Sequence, residues 1–284
     1  MKKGLVLEGG AMRGLFTAGI LDVLMENGVE FDGLVGVSAG AAFGCNYKSG
    51  QIGRTLRYNV KYCRDKRYCS WRSLFKTGDM YGAEFCYREL PKRLDVFDEE
   101  AFDASPMEFY VVATDVQTGK AVYHRCDSAR GTEILDWIRA SASMPFVSRV
   151  VQIGEGRYLD GAMADSVPLA YFESIGYDRN VVILTNEKGY RKRKFRATLA
   201  LRLLLRKYPK AAEAMATRHV FYNETLDALA EREARGEVLV LRPEGKLPIK
   251  RVTHSEKKLR AAYEMGRALA VKRLPEIKAF LTET

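Results

Sequence analysis

Histidine is scarce in this chain: three in 284 residues, His124, His219 and His254. None sits in an H-E-x-x-H pattern, so a metal-hydrolase site has little to build on and no metal is expected. The five cysteines, Cys45, Cys63, Cys69, Cys86 and Cys126, are odd in number and form no C-x-x-C pair. That argues against a disulfide frame or a zinc site and for a reducing compartment. No apolar run is long enough to cross a membrane, and the N-terminus reads as a strand without a signal-peptide pattern. The cytoplasm is the expected location. Internal repeats and low-complexity linkers are missing too, which leaves one large domain or one domain with an appendage. Acidic residues are outnumbered: 46 Lys and Arg against 36 Asp and Glu give a net charge of +10.

What is present is an alternation of strands and helices. Apolar runs at 4–7, 34–37, 109–113, 122–124, 150–153, 181–184 and 238–241 read as strands. Helices are expected at 13–26, 39–48, 82–90, 132–141, 166–173, 217–235 and 255–281. Near-continuous apolar strands separated by helices predict an α/β three-layer sandwich around a mostly parallel sheet. The stretch 54–75, rich in Arg, Lys, Tyr and Trp, reads either as a lid or access wall or as a surface insertion with packed aromatics.

One pentapeptide carries a nucleophile signal. Gly36-Val37-Ser38-Ala39-Gly40 follows an apolar run and opens a small-residue helix. A G-x-S-x-G between strand and helix is a nucleophile elbow, in which small neighbours relieve a tight turn. The helix that follows aims its first amides at the serine. Alone, the same residues also fit a helix opened by a serine cap.

A second turn shifts the balance. Gly9-Gly10-Ala11-Met12-Arg13-Gly14 lies between the first strand and the first helix and offers a row of backbone N–H groups to an anion. A dinucleotide fingerprint fits poorly, because Ala11 replaces the glycine at which backbone meets pyrophosphate. The acidic candidates Glu30 and Asp32 also precede the second strand, where the ribose-binding acid usually ends it. An oxyanion hole with Arg13 nearby fits better. Far downstream stands Asp160-Gly161-Ala162. Alone it reads as a turn.

These three motifs, in this order and spacing, resemble those of the patatin-like phospholipase family. The stretches 139–145 and 158–162, the latter followed by Val167-Pro168, resemble it as well, and the likeness runs from about residue 4 to 184. The family's loop usually has a third consecutive glycine where this chain has Ala11. An alanine amide still serves the hole if the residue keeps negative φ, whereas a positive φ would mean a different loop. The resemblance implies a serine lipid acyl hydrolase with a Ser–Asp dyad, Ser38 as nucleophile and Asp160 as general base. Amides of Gly9, Gly10 and Ala11, with Arg13, would form the oxyanion hole. Gly14, Gly36, Gly40, Gly161 and Ala162 complete the motifs. A lipid or acyl ester is then the expected substrate, and no cofactor is implied. The catalytic domain would span 1–186, with 187–284 a mainly helical C-terminal region like that of bacterial patatin-like proteins.

The positive charge is uneven. Arg191, Lys192, Arg193, Lys194 and Arg196 lead into Leu199, Leu201, Leu203, Leu204 and Leu205, interleaved with Arg202, Arg206 and Lys207. This predicts either an amphipathic helix resting on anionic lipid at the inner membrane surface or a core-docked helix with a solvated basic face. Nucleic acid is not an expected partner, since no recognised motif accompanies the charge. Two rival functions stay open: an α/β-hydrolase esterase with a Ser-His-Asp triad, and a non-catalytic basic module.

Overall fold

The computed structural model describes residues 1–282. Its first half runs β1 (Lys2–Leu7), α1 (Leu15–Glu26), β2 (Gly33–Val37), α2 (Ala39–Lys48), α3 (Arg54–Tyr62), α4 (Trp71–Thr77), α5 (Glu99–Ala104), β3 (Glu108–Asp115) and β4 (Ala121–Arg125). There follow α6 (Glu133–Ser141), β5 (Val151–Ile153), β6 (Gly156–Asp160), α7 (Leu169–Ser174), β7 (Tyr177–Ile183), α8 (Thr198–Leu204), α9 (Pro209–Ala234), β8 (Val238–Leu241) and α10 (Glu256–Thr282).

The eight strands form one sheet in the order β5-β6-β3-β2-β1-β7-β8, with β4 on β3. Its centre, β3-β2-β1-β7-β8, is parallel, and β4, β5 and β6 pair antiparallel. The expected mostly parallel sandwich is therefore what the chain builds. Side chains alternate between two cores, as the two-residue period of a strand requires. Leu5 and Leu7 of β1 and Val181 and Ile183 of β7 join one apolar cluster, while Val6 and Val182 join the other.

Strand edges decide where the site forms. Along β3, residues 108–112 pair with β2 and 110–114 with β4, so these two neighbours occupy opposite edges. β6 pairs with 113–115 and overlaps β4 in register, so it lies on the β2 edge, where β2 has just ended. Val37 stands opposite Val112, and Asp160 opposite Ala113. Asp160 thus falls at the next step along that edge, beside Ser38.

The C-terminal segment is built into this body. β8 extends the sheet, and α10 lies directly on α1. Two glycines allow the helices to touch by backbone. A Cβ on Gly19 would sit 2.1 Å from the Tyr263 carbonyl oxygen, and one on Gly266 only 1.9 Å from that of Phe16.

Several elements differ from expectation. β6 was not foreseen, since it is short and half exposed. The helix expected at 82–90 is π-wound over Phe85–Leu94 with Pro91 inside it. The helix expected at 166–173 begins at Leu169, because the residue before Pro168 is steered away from helical φ/ψ. The helix expected at 217–235 reaches back to Pro209, a residue suited to the first turn. In the basic segment only Thr198–Leu204 is helical; Leu201 and Leu205 dock into an apolar cluster, while Leu199 and Leu203 stay 82% and 70% exposed.

Candidate active site

Ser38 ends β2 and opens α2 with φ 55° and ψ −120°, a strained conformation for a residue with a side chain. Two contacts hold it there. Its N–H donates to the Ser141 hydroxyl at 2.8 Å, and α2 starts at once, with the Ala42 N–H donating to the Ser38 carbonyl at 3.0 Å. The glycines around it are there for space. A Cβ on Gly36 would lie 2.6 Å from the Ala41 backbone, and one on Gly40 2.5 Å from the Leu7 carbonyl oxygen. The elbow is pressed against the end of β1.

The glycine-rich turn closes over the serine. A Cβ on Gly9 would meet the Ser38 Cβ at 2.8 Å, one on Gly10 the Thr185 hydroxyl at 2.8 Å, and one on Gly14 the Phe43 ring at 2.8 Å. Within the turn, the Met12 N–H donates to the Arg251 carbonyl and the Arg13 N–H to the Gly10 carbonyl. The N–H groups of Gly9, Gly10 and Ala11 have no acceptor among the described residues. They are the amides available to an oxyanion beside Ser38. Ala11 has φ 49°, so this is the left-handed case rather than the negative-φ loop. Its amide is nonetheless free.

Asp160 is buried at the strand-edge position next to Ser38, and its carboxylate interacts with the Ser38 side chain. Three contacts fix it: Oδ1 accepts the Ala162 N–H at 2.9 Å, its own N–H donates to the Ser143 carbonyl at 2.8 Å, and its carbonyl accepts the Thr114 hydroxyl at 2.8 Å. Gly161 lets the turn lie on β3, since a Cβ there would be 2.2 Å from the Val112 carbonyl oxygen. Burial pushes the Asp160 carboxyl above its usual range, opposed by the charge of Arg218, the Ala162 and Ser38 hydrogen bonds and the charge of Arg251. A raised pKa makes this carboxylate a better proton acceptor than a solvated one.

Beside Ser38 a pocket opens between α2 and the π-wound segment. Its volume is about 130 Å3. Met12, Ala42, Phe43, Leu90, Phe97, Leu135 and Ile138 make its wall mainly apolar. The stretch 54–75 supplies Arg54, Tyr58, Asn59 and Tyr68 to the same wall. Tyr58 and Tyr68 are buried and pack edge-on, as Tyr62 does with Phe85, so the aromatic insertion both packs and lines the pocket.

All three histidines are engaged elsewhere. His124 stacks on Trp137 at 4.1 Å, His219 contacts the Ala216 carbonyl through Nδ1, and His254 contacts the Cys63 carbonyl through Nδ1. Among the described residues no group of three His, Cys, Asp or Glu side chains is placed to hold a metal ion, and no helix is long and apolar enough to cross a membrane.

Sequence reasoning missed part of the site. Ser141 and Ser143 lie in the stretch noted for its resemblance, yet nothing in the pattern assigned them a contact. One holds the backbone of Ser38 and the other that of Asp160. Arg218 was not singled out either. It donates from Nε to the Ser166 hydroxyl at 3.2 Å, and that hydroxyl donates to the Ala162 carbonyl at 2.9 Å.

A family model described as Patatin-like phospholipase matches residues 5–173, and one described as Domain of unknown function (DUF6363) matches residues 208–282. The chain is 30% identical to the uncharacterized protein YjjU of Escherichia coli (strain K12) over 197 residues, 64% of this chain and 51% of YjjU. It is 26% identical over 186 residues to the uncharacterized NTE family protein Rv1063c of Mycobacterium tuberculosis, covering 64% of this chain and 48% of that protein. It is 28% identical over 185 residues to lysophospholipase nte1 of Emericella nidulans, covering 62% of this chain and 11% of that much longer protein. The chain thus spans about half the length of the bacterial relatives it matches. Among solved structures, VipD from Legionella pneumophila aligns over 97% of this chain and 67% of its own at 13% identity, with a TM-score of 0.46. Because the match at residues 5–173 takes in more than half of the 284 residues and every site residue expected from Gly9 to Ala162, the chain belongs to the patatin-like phospholipase family.

Proposed function

We propose that this chain is a serine acyl-ester hydrolase that cleaves lipid esters through a Ser38–Asp160 dyad and an acyl-enzyme. One observation carries the proposal: strand register sets the buried Asp160 one step beyond the end of β2 on the same edge of β3, beside Ser38. The serine oxygen attacks the ester carbonyl and its proton passes to Asp160. The oxyanion that forms is held by the free amides of Gly9, Gly10 and Ala11, with Arg13 beside them. The alcohol leaves with the proton from Asp160, and water, deprotonated in turn by Asp160, releases the acid. The apolar pocket suits the acyl chain.

A triad needs a histidine on the serine, and each histidine has another partner. A basic module without catalysis would need neither the strained serine nor the unfilled amides. Labelling by a fluorophosphonate probe tests the assignment. The folded wild-type protein should label and Ser38→Ala should not. A variant with His124, His219 and His254 all changed to Gln should keep labelling. Undiminished labelling of folded Ser38→Ala would remove Ser38 from the mechanism, and loss of labelling in the folded histidine variant would restore the triad.

The same reading places the protein on lipid as a peripheral guest. Trp71 and Phe75 on α4, and Leu199 and Leu203 on α8, project into solvent at 66%, 85%, 82% and 70% exposure, with Arg72, Lys76 and Arg202 among them. Exposed apolar and basic side chains mixed on each of these helices suit an anionic interface. Sedimentation with anionic vesicles, stronger at low salt than at high, is the expected result. Equal binding to neutral vesicles would refute it.

A further inference from the structure

The strand order reverses between β1 and β7, whose connections leave on opposite faces of the sheet, the topology that favours ligand binding beyond the carboxyl ends of the strands. Four cations from four parts of the chain gather at that end of the sheet. Arg13 stands on the turn after β1, with Nη2 donating to the Thr185 hydroxyl at 3.0 Å and its buried Nε without a partner. Lys192 follows β7; its backbone is clasped by Asn223 at 2.9 and 3.0 Å, and its ammonium lies 4.1 Å from the centre of the Tyr222 ring. Arg218 is one helical turn before Tyr222 on the same face of α9 and reaches the Asp160 turn through Ser166. Arg251 lies in the loop whose carbonyl accepts the Met12 N–H at 3.2 Å.

Among the described residues none of these four forms an ion pair within 4.0 Å. Two carboxylates lie in the same neighbourhood. Asp160 sits beside Ser38 and attracts Arg218 and Arg251 without an ion-pair contact. Glu8 accepts from the Thr185 N–H at 2.6 Å, the Thr185 hydroxyl at 3.0 Å, the Asn186 amide at 3.4 Å and the Tyr222 hydroxyl at 2.6 Å. The cations do feel one another: burial, then Arg218, with Arg251 and Arg13, pushes the Lys192 ammonium down to about 7, against the pull of Glu8. Four gathered cations against two carboxylates, none in ion-pair contact, are unfavourable unless a further anion joins them.

We infer that Arg13, Lys192, Arg218 and Arg251 form a binding site for a doubly charged phosphate monoester, placed beside Ser38 to select esters whose alcohol portion carries that group. This rests on the dyad reading for its role in catalysis, but the anion site stands on its own geometry. Guanidinium forks match phosphate oxygens, and a lysine adds a point charge. Three of the four cations come from beyond residue 186, so the C-terminal segment would set specificity for a reaction performed by the N-terminal one.

The test compares two esters with the same acyl chain, 1-acylglycerol 3-phosphate and 1-acylglycerol, on the full chain and on Lys192→Gln/Arg251→Gln. The wild-type kcat/KM should favour the phosphate-bearing ester at least about tenfold, and the double variant should lose at least about tenfold of that ratio. Lys192→Gln alone should lose part of it, and thermal unfolding checks that both variants fold. Inorganic phosphate and glycerol 3-phosphate serve as free probes. Competitive inhibition by inorganic phosphate, weakened in the variants, without any preference between the esters would keep the phosphate site and assign it to the free ion. Equal turnover of both esters with no effect of either free probe overturns the inference. If neither ester is cleaved but phosphate raises the wild-type Tm and not that of the double variant, the dyad fails and the anion site survives.

Discussion

Replacing Ala11 with glycine should stabilise the protein without changing its catalysis. Ala11 holds φ 49° at the head of the oxyanion turn, where a Cβ crowds its own backbone. The left-handed region costs an ordinary L-residue about 1–2 kcal/mol. Glycine escapes that, but loses about 0.5–1 kcal/mol more backbone freedom on folding. The middle of the two ranges favours Ala11→Gly by about 0.75 kcal/mol, which for a chain of this size is a rise in Tm of roughly 1–3 °C. Scanning calorimetry and urea unfolding measure it. Because the amide is kept, kcat should stay within about threefold of wild type, less than 0.7 kcal/mol of barrier. Ala11→Val provides the opposite sign, since a β-branched side chain is a worse fit at positive φ. If Ala11→Gly is less stable than wild type, or if the glycine and valine variants melt together, the strain assigned to this turn is not there.

Asp160→Asn should cut kcat about 10²–10⁴-fold, the usual worth of a general base, while Tm at pH 7 stays level or rises. The sign follows from the raised folded pKa: the native state prefers the neutral group, so ionisation costs stability once pH exceeds the unfolded value, and the amide avoids that cost. By the same token wild-type kcat/KM should rise with pH through a midpoint above 3.8, and a midpoint at or below 3.8 would contradict the burial argument. Ser141→Ala removes the 2.8 Å acceptor for the Ser38 N–H, worth about 1 kcal/mol, so kcat should fall roughly fivefold with little change in KM; Ser141→Thr, which keeps the hydroxyl, should recover much of it. Gly266→Ala sets a methyl 1.9 Å from the Phe16 carbonyl oxygen, and the resulting separation of α10 from α1 should cost about 1–3 kcal/mol in urea unfolding.

Much of the fold could be read in advance, and the reasons differ by element. β1, β2 and β7 are buried on both faces, so their apolar runs are continuous and flanked by loops. The serine elbow and glycine turn are local, and local steric demands leave a mark in sequence. β6 did not show, because three of its five residues are at least partly exposed and it is recognisable only by the strand it joins. Pro91 reads as a helix stop, whereas the π-wound segment carries the chain past it to Leu94. The contacts of Ser141 and Ser143 and the gathering of Arg13, Lys192, Arg218 and Arg251 depend on chain crossings of more than a hundred residues in several cases, which no spacing rule encodes. The basic run looked like one surface. Folding divides it, turning Lys192 onto Tyr222 and pairing Arg191 with Asp227.

The pairing of β6 with β3 also defines where this chain can change length. Gly154 and Glu155 form the tip of the β5–β6 hairpin, with Gly154 at φ 57° and open space around it, so added residues there would only lengthen a loop. Between Gly156 and Asp160 the arithmetic is different. Leu159, opposite Thr114, packs into the cluster with Leu201 and Ala211, while Asp160, opposite Ala113, meets Ser38. A single inserted residue would exchange the two faces, sending a carboxylate into hydrocarbon and a leucine to the serine. All three motifs would survive such an insertion unaltered. A homologue carrying one could keep every recognisable signature of a hydrolase and be inert, and only the count of residues from Gly156 to the aspartate would reveal it.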